Sequence, residues 1–378
     1  MLKYYEVSTF KSFKNKTKFD LEKTNYQMLS DVNVKNNILK GAMFVGANAS
    51  GKSNAIIAIK FLLDGLLGKN EVNFEQYWCL FSGEPLVELA YAFVIDSSEI
   101  RYDVSYQRVD QIIEEELYID DKLVFSRKAS VAKVNITEEI KHSDVPKNTL
   151  FLRDIYFNTK FRGNNVLQHW FEFLGNSIYI DVYDASITPY KDIDVSLKSY
   201  MEKFGPEKIN DFFEEYNFKQ KIEYDTKSIG EHLAIEAPEK MIYFKRKDLN
   251  EPIPFMLESL GNKNLLRLLP AFFHCIENGG MLLLDEFSSG FHNELEELLI
   301  KYFMRKSEKS QLIFVSHSTN LLTNRLLRPD QLYAVDFDGD GSHIKRFSSE
   351  KPREAQNLEK MYLSGVFSGV PEYESTIK

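Results

Sequence analysis

The chain has 378 residues, of which 43% are hydrophobic, 13% aromatic and 27% charged, and its formal net charge is −9. This balance belongs to a globular protein and excludes a disordered or fibrous one, while the acidic excess argues against a surface that coats nucleic acid throughout, a local basic patch remaining open. No run approaches the apolar length of a membrane span, and the start Met1-Leu2-Lys3-Tyr4-Tyr5-Glu6 lacks the zones of a signal peptide, so a cytoplasmic protein with no membrane partner is expected.

The predicted elements begin with a strand-rich stretch of about 110 residues broken by one strong helix. Its apolar run Ala42-Met43-Phe44-Val45 leads into Gly46-Ala47-Asn48-Ala49-Ser50-Gly51-Lys52-Ser53 and then a helix over 54–67 rich in Ile, Leu and Phe. Strand, GxxxxGK[ST], helix is the arrangement in which backbone N–H groups turn inward around phosphate oxygens and a helix N-terminus adds positive potential. Asn48, Ala49, Ser50, Gly51, Lys52, Ser53 and Asn54 are therefore the expected nucleotide contacts, with Lys52 on the β- and γ-phosphates and Ser53 on Mg²⁺. ATP and Mg²⁺ are the cofactors implied. Residues 86–95 and 101–106 alternate as antiparallel strands, and Glu116-Leu117-Tyr118-Ile119, Asp120-Asp121, Lys122-Leu123-Val124-Phe125 reads as a hairpin with a polar turn.

Over 129–240 charged residues become dense and apolar ones fall at helical intervals, with helices expected over 164–173 and 196–219. Beyond 241 short apolar strands alternate with helices, the pattern of a buried parallel sheet; 281–284, 312–315 and 332–335 are the clearest strands. Met281-Leu282-Leu283-Leu284-Asp285-Glu286 ends in two carboxylates, which burial of the strand puts at the carboxyl edge of the sheet beside the phosphate loop. Alone, such a pair also suits the first turn of a helix. With a phosphate loop in the chain, Asp285 is expected to orient Mg²⁺ through water and Glu286 to act as general base on the attacking water. His317, closing the strand Leu312-Ile313-Phe314-Val315-Ser316, is expected near the γ-phosphate, although a lone histidine at a strand end is more often structural.

Other features lead elsewhere. Asp336-Phe337-Asp338-Gly339-Asp340-Gly341 opens like a calcium loop, but Phe347 occupies the twelfth position where a bidentate acid is needed, so a polar turn is expected. Cys79 and Cys275 have neither metal nor disulfide spacing and are expected as buried thiols, without zinc. Asp181 and Asp184, the extra acids that suggest a nuclease, are expected as carboxylates on a solvated loop.

Leu257-Glu258-Ser259-Leu260-Gly261-Asn262-Lys263-Asn264, leading into a helix over 265–276, reads on its own as an N-cap. Lying between the two nucleotide motifs, it resembles the degenerate signature of the SMC-like and overcoming-lysogenization-defect-like branch of ABC ATPases. The resemblance continues in Phe10-Lys11-Ser12-Phe13-Lys14, Asp285-Glu286-Phe287 with Phe291-His292, and Ser316-His317 with Asn320-Leu321-Leu322. Pro329-Asp330-Gln331-Leu332 and Tyr362-Leu363-Ser364-Gly365 with Pro371 complete the order. It covers most of 1–110 and 241–378, and is nearest to the ATP-binding proteins of bacterial abortive-infection and phage-defence systems. It departs from the pattern at Asn262, where threonine is usual, at Asn293, where proline is usual, and at the Q-loop, for which only Gln76 offers itself.

The resemblance implies an α/β fold, an ABC-type P-loop NTPase with a mixed central sheet, an antiparallel β subdomain and a largely helical insertion. The expected division is an N-terminal ATPase lobe over 1–128, the insertion over 129–240 and a C-terminal ATPase lobe over 241–378. It adds Lys11 to the nucleotide contacts and makes Ser259, Gly261 and Asn262 the trans signature, reaching the ATP of a second copy. A homodimer or higher homo-oligomer follows, with Ser288-Ser289-Gly290-Phe291-His292 at the seam. The expected role is an ATP-dependent sensor or scaffold of phage defence that controls a separately encoded effector, a nuclease or toxin, since the chain ends at Lys378 with no room for a fused nuclease. The alternative is a DNA-handling repair ATPase with the insertion as a clamp arm; a transporter subunit would need a full-strength signature.

Overall fold

In the acidic strand Gly280–Asp285, Met281 and Leu283 pack into one hydrophobic core while Leu282 and Leu284 pack into another. The next strand, Ser310–Val315, divides in the same way, Ile313 and Val315 against Leu312 and Phe314. Alternate side chains leave a strand on opposite faces, so an unbroken apolar run means a strand covered on both sides. These strands lie at the centre of a seven-stranded sheet ordered Ser186–Pro189, Ile178–Asp181, Gly280–Asp285, Ser310–Val315, Gly41–Gly46, Leu332–Phe337, Ser342–Arg346. The inner strands are parallel and each outermost strand is antiparallel to its neighbour. A computed structural model describes residues 1–68, 72–136, 140–147, 149–226, 240–289 and 291–370; Gly290, Pro371 and Lys378, named above, lie outside the described residues.

One face of the central sheet is covered by the phosphate-loop helix Lys52–Leu67, which is in turn covered by an eight-stranded antiparallel sheet. Two buried tyrosines of that outer sheet seat themselves on the helix, the Tyr5 hydroxyl donating to the Ala55 carbonyl at 3.0 Å and that of Tyr91 to the Ala58 carbonyl at 2.7 Å. The strands Leu86–Ile95 and Ser98–Gln107 carry the alternation expected of them. The hairpin joining Ile112–Ile119 to Lys122–Lys128 turns on Asp120 and Asp121, both left-handed at φ 48° and 62°, the backbone of a two-residue turn matched to strand twist. The opposite face packs against the helices Leu260–Asn278 and Asn293–Lys306.

The stretch over 129–240 differs in two respects from a mostly helical insertion. Its described residues include strands as well as helices, and Ile178–Asp181 and Ser186–Pro189 extend the central sheet itself, while Val131–Val134 and Ile140–Ser143 extend the antiparallel one. The helix expected over 196–219 is two, Leu197–Phe204 and Glu207–Glu215. Gly205 at φ 70° and Pro206 separate them, since glycine readily takes that backbone and proline cannot donate the next helical hydrogen bond. Cys79 and Cys275 are both buried and unpaired. Asp338 to Gly341 form the turn of the hairpin between Leu332–Phe337 and Ser342–Arg346, with the Asp338 carboxylate accepting from the Asp340 and Gly341 N–H groups. Among the described residues no helix is long and apolar enough to cross a membrane.

Candidate nucleotide site

Parallel strands deliver their carboxyl ends to one edge of a sheet, and here that edge gathers Gly46, Asp285, the residues following Val315, and Asp181. The loop from Ala47 to Gly51 turns into the helix at Lys52 through a glycine at φ 101°, where an added Cβ would come within 2.3 Å of the Ser342 hydroxyl oxygen and 2.5 Å of that of Ser12. Those two serines are the underside of the loop. The Ser342 hydroxyl donates to the Ser50 carbonyl at 2.6 Å, the Ser342 N–H to the Ser12 carbonyl at 2.7 Å, and the Asn54 amide to the Ser12 hydroxyl at 2.7 Å. In the motif around Lys11, Ser12 supports the loop, and Lys11, left-handed at φ 54°, extends over the ring of Tyr77 with its ammonium 5.2 Å from the centroid.

Asn48, Ala49, Gly51, Lys52, Ser53, Asn54 and Glu286 line one open cleft of about 290 Å³. Larger hollows elsewhere on the surface contain none of these residues. Lys52 is buried and folds back on the loop, donating to the carbonyls of Gly46 at 3.1 Å and Ala47 at 2.7 Å. Burial lowers its ammonium from the ordinary lysine value against the opposing pull of Glu286 and Asp285. Ser50 is buried too, its hydroxyl oxygen without a hydrogen-bond partner.

The Ser53 hydroxyl donates to Asp285 Oδ1 at 2.9 Å, joining the helix start to the acidic strand. Burial raises the Asp285 carboxyl above the usual carboxylate range and the charges of Glu286 and Asp181 add to this, while the hydrogen bonds from Ser53 and the Glu286 N–H oppose it. Hydroxyl and carboxylate are the hard oxygen donors that suit Mg²⁺. Two such donors leave the rest of the shell to water and phosphate oxygens, as Mg²⁺ requires; among the described residues no group of three or more His, Cys, Asp or Glu could hold a metal.

Glu286 takes a left-handed backbone, φ 51°, and sends its carboxylate to within 3.5 Å of His317 Nε2. Burial and the charge of Lys52 lower the His317 imidazole below its ordinary value, with Glu286 pulling the other way. The loop carrying His317 is fixed from beneath by Glu296, a fully buried carboxylate that accepts from the hydroxyls of Ser316 at 3.1 Å and Ser318 at 2.9 Å. The His317 N–H donates to the Ser288 hydroxyl at 3.2 Å.

The remaining expected residues fall elsewhere. Ser259, Gly261 and Asn262 are not in the lining of the cleft; Ser259 caps the helix Leu260–Asn278, its hydroxyl accepting from the Asn262 N–H at 3.3 Å. Glu258 beneath it accepts from the Ser259 N–H at 2.7 Å and from Arg246 at 2.6 Å. Burial works against its charge, yet these partners together hold its carboxyl below the usual range. Leu257 and Leu260 beside it are 60% exposed. Gln76 is exposed on the short helix Phe74–Tyr77 next to Lys11, which donates its N–H to the Tyr77 carbonyl. The residues that flank Asp285 from the neighbouring strand are instead Tyr179 and Asp181, opposite Leu283 and Asp285. Asp181 thus ends a strand of the central sheet and is not a residue of a solvated loop; Asp184 is exposed in the turn that follows. The sequence signal for this strand is the short apolar run Ile178-Tyr179-Ile180 ending in Asp181.

The architecture is that of an SMC head. It matches the SMC head domain from Thermotoga maritima at a TM-score of 0.50 and 17% identity, covering 91% of this chain and 97% of that one. It matches a Smc head domain with an extended coiled coil, bound to the C-terminal domain of ScpA and derived from Pyrococcus furiosus, at 0.51 and 12%, covering 93% and 97%. A SmcHead bound to the C-winged helix domain of ScpA matches at 0.51 and 16%, covering 91% and 97%. At these identities the likeness defines the fold class, an α/β ABC ATPase of the SMC-like kind. Within that class the chain belongs to the family described as "AAA domain, putative AbiEii toxin, Type IV TA system", whose model matches residues 42–323. It is thus an SMC-like ATPase related to abortive-infection proteins. No curated protein matches the chain.

Proposed function

We propose that the chain binds and hydrolyses ATP at sites completed by a second copy, and that the cycle of closure and release controls a separately encoded effector in phage defence. The observation that carries this reading is a division of labour. Lys52, Ser53, Asn54 and Glu286 line one cleft, with Asp285 and His317 bonded or adjacent to them, whereas Ser259 caps a helix whose N-terminus is not part of that lining. A site built this way has a half that grips the triphosphate and lacks a half that closes on it.

In this reading the loop N–H groups and Lys52 hold the β- and γ-phosphates, and Lys52 exchanges its bonds to the Gly46 and Ala47 carbonyls for phosphate oxygens. Ser53 and Asp285 hold Mg²⁺, which when bound neutralises charge developing between the β- and γ-phosphoryl groups. Glu286 orients a water and takes its proton, and His317, whose imidazole burial and Lys52 hold below its ordinary value, steadies that carboxylate and the γ-phosphate. Ser259 and the helix N-terminus of the second copy close the site from the other side, a face-to-face arrangement with two-fold symmetry. The family and the acidic net charge favour the defence role over DNA handling.

The test is Glu286→Gln. With ATP and Mg²⁺ the variant is expected to bind nucleotide, accumulate as a dimer by mass measurement in solution, and lose about 10²- to 10⁴-fold in turnover, the span of a general base. Full turnover would remove Glu286 from the mechanism. Wild-type hydrolysis whose rate per chain is unchanged on extreme dilution would remove the second copy.

A further inference from the structure

The strand Ile178–Asp181 runs parallel to the acidic strand on its far side from the phosphate loop, with Tyr179 opposite Leu283 and Asp181 opposite Asp285. The Val182 N–H continues the pairing by donating to the Asp285 carbonyl at 3.1 Å. Residues in register on neighbouring parallel strands share a face of the sheet. Here that face is the one under the phosphate-loop helix: Tyr179 and Leu283 lie in the same core as Ala55 and Ile59, and the Lys60 ammonium sits 5.3 Å from the centre of the Tyr179 ring. Asp181 therefore stands level with Asp285, on the side of the sheet from which the Ser53 hydroxyl reaches Asp285.

Asp181 also differs from Asp64 of the phosphate-loop helix. Asp64 is matched by Lys60 at 2.6 Å and by the Tyr190 hydroxyl at 2.8 Å. Asp181 accepts the Asp184 N–H at 3.0 Å through Oδ1, and among the described residues no lysine or arginine pairs with it. A carboxylate at this level and on this face, next to a serine–aspartate pair suited to Mg²⁺, is placed to bind a water of the metal shell, for the cation retains several waters and favours oxygen donors.

We propose that Asp181 is a further residue of the cation site, holding a water of the divalent cation bound with ATP at Ser53 and Asp285, and that it makes nucleotide binding depend on that cation. The inference rests on the nucleotide site proposed above. Asp181, Asp285 and Glu286 bring three carboxylates to an edge where, among the described residues lining the cleft, Lys52 is the cation, so a bare triphosphate meets like charge at short range. The divalent ion converts that repulsion into attraction. The charge of Asp181 is already felt at Asp285 and at Tyr179.

The experiment compares the full-length wild type with Asp181→Asn, which keeps an acceptor oxygen for the Asp184 N–H, and with Asp181→Ser as the second variant should the first fold poorly. Binding of a fluorescent non-hydrolysable ATP analogue is titrated with Mn²⁺, and again in excess chelator without cation. The proposal expects the Mn²⁺ concentration for half-maximal binding to rise about tenfold or more, as loss of an outer metal-shell partner does, and cation-free binding to stay equal or tighten. An unchanged Mn²⁺ requirement overturns it, and so does a parallel loss of binding with and without cation, which marks Asp181 as merely structural. A wild type that binds no analogue under either condition overturns the nucleotide site and this inference together, whereas normal wild-type binding with an unaltered variant overturns the inference alone.

Discussion

Among the pairings of a glutamate with a basic residue, Glu115 with Arg127 and Glu286 with His317 are built on opposite plans. In the antiparallel sheet, Glu115 is fully buried and accepts from the Tyr102 hydroxyl, Arg127, and the N–H groups of Phe151 and Leu152. Arg127 spends its other donors on the carbonyls of Ala129, Pro146 and Thr149. Every charged atom has its partners, and the pair fastens the helix Phe151–Thr159 to the sheet. In the nucleotide cleft, Glu286 and His317 lie 3.5 Å apart with side chains 35% and 36% exposed, and Lys52 rests on loop carbonyls. Saturated charge holds a fold together, whereas charge left short of partners is available to a substrate.

The widest separation is expected between Glu286→Gln and Glu115→Ala. The first removes about 10²- to 10⁴-fold of turnover with little change in the urea unfolding midpoint. The second strands Arg127 in the core, costs about 3–5 kcal/mol of stability, and leaves the nucleotide affinity of the folded fraction as it was. A Glu286→Gln protein that unfolds as readily as Glu115→Ala would erase the contrast. Ser259→Ala sharpens it at a smaller scale. Loss of the cap costs about 1 kcal/mol, but hydrolysis falls by more than that destabilisation accounts for if Ser259 closes a partner's site; equal losses in both would make it a cap and nothing else.

The smallest effect concerns pH. His317 is held below its ordinary value by burial and Lys52, so the unfolded chain takes up that proton first as pH falls. Its contribution to stability is complete above an imidazole's usual pKa of about 6.5 and is lost as pH drops from there through the lowered folded value. Melting temperatures taken from pH 7.5 down to 5.5, on the order of one pH unit either side of that value, should fall less steeply in His317→Gln than in wild type. Identical slopes would show that His317 does not contribute to the acid sensitivity.

What the sequence made legible follows from how local each signal is. The phosphate loop is one contiguous segment whose chemistry and backbone demands coincide, so its residues and the strand and helix around it could be read directly. The central strands were equally plain, because burial on both faces leaves an unbroken apolar run. Ile178–Asp181 was hidden by its brevity within a charge-dense stretch, and its pairing with a strand about a hundred residues later is a non-local event with no trace in its composition. From the sequence alone Asp181 therefore looks like a loop acid. Gly205-Pro206 carried the signal for a break, outweighed by the apolar periodicity on either side. The serine underside of the phosphate loop, drawn from Ser12 and Ser342, could be seen only once three distant segments had been brought together.

The left-handed backbone at Glu286 has an evolutionary consequence. Glycine takes that conformation without a Cβ penalty, and asparagine tolerates it better than most residues, so the fold would be more comfortable with either. Random variants screened only for heat resistance should therefore drift toward Gly or Asn at 286, and if Glu286 is the general base proposed above they lose turnover on the way.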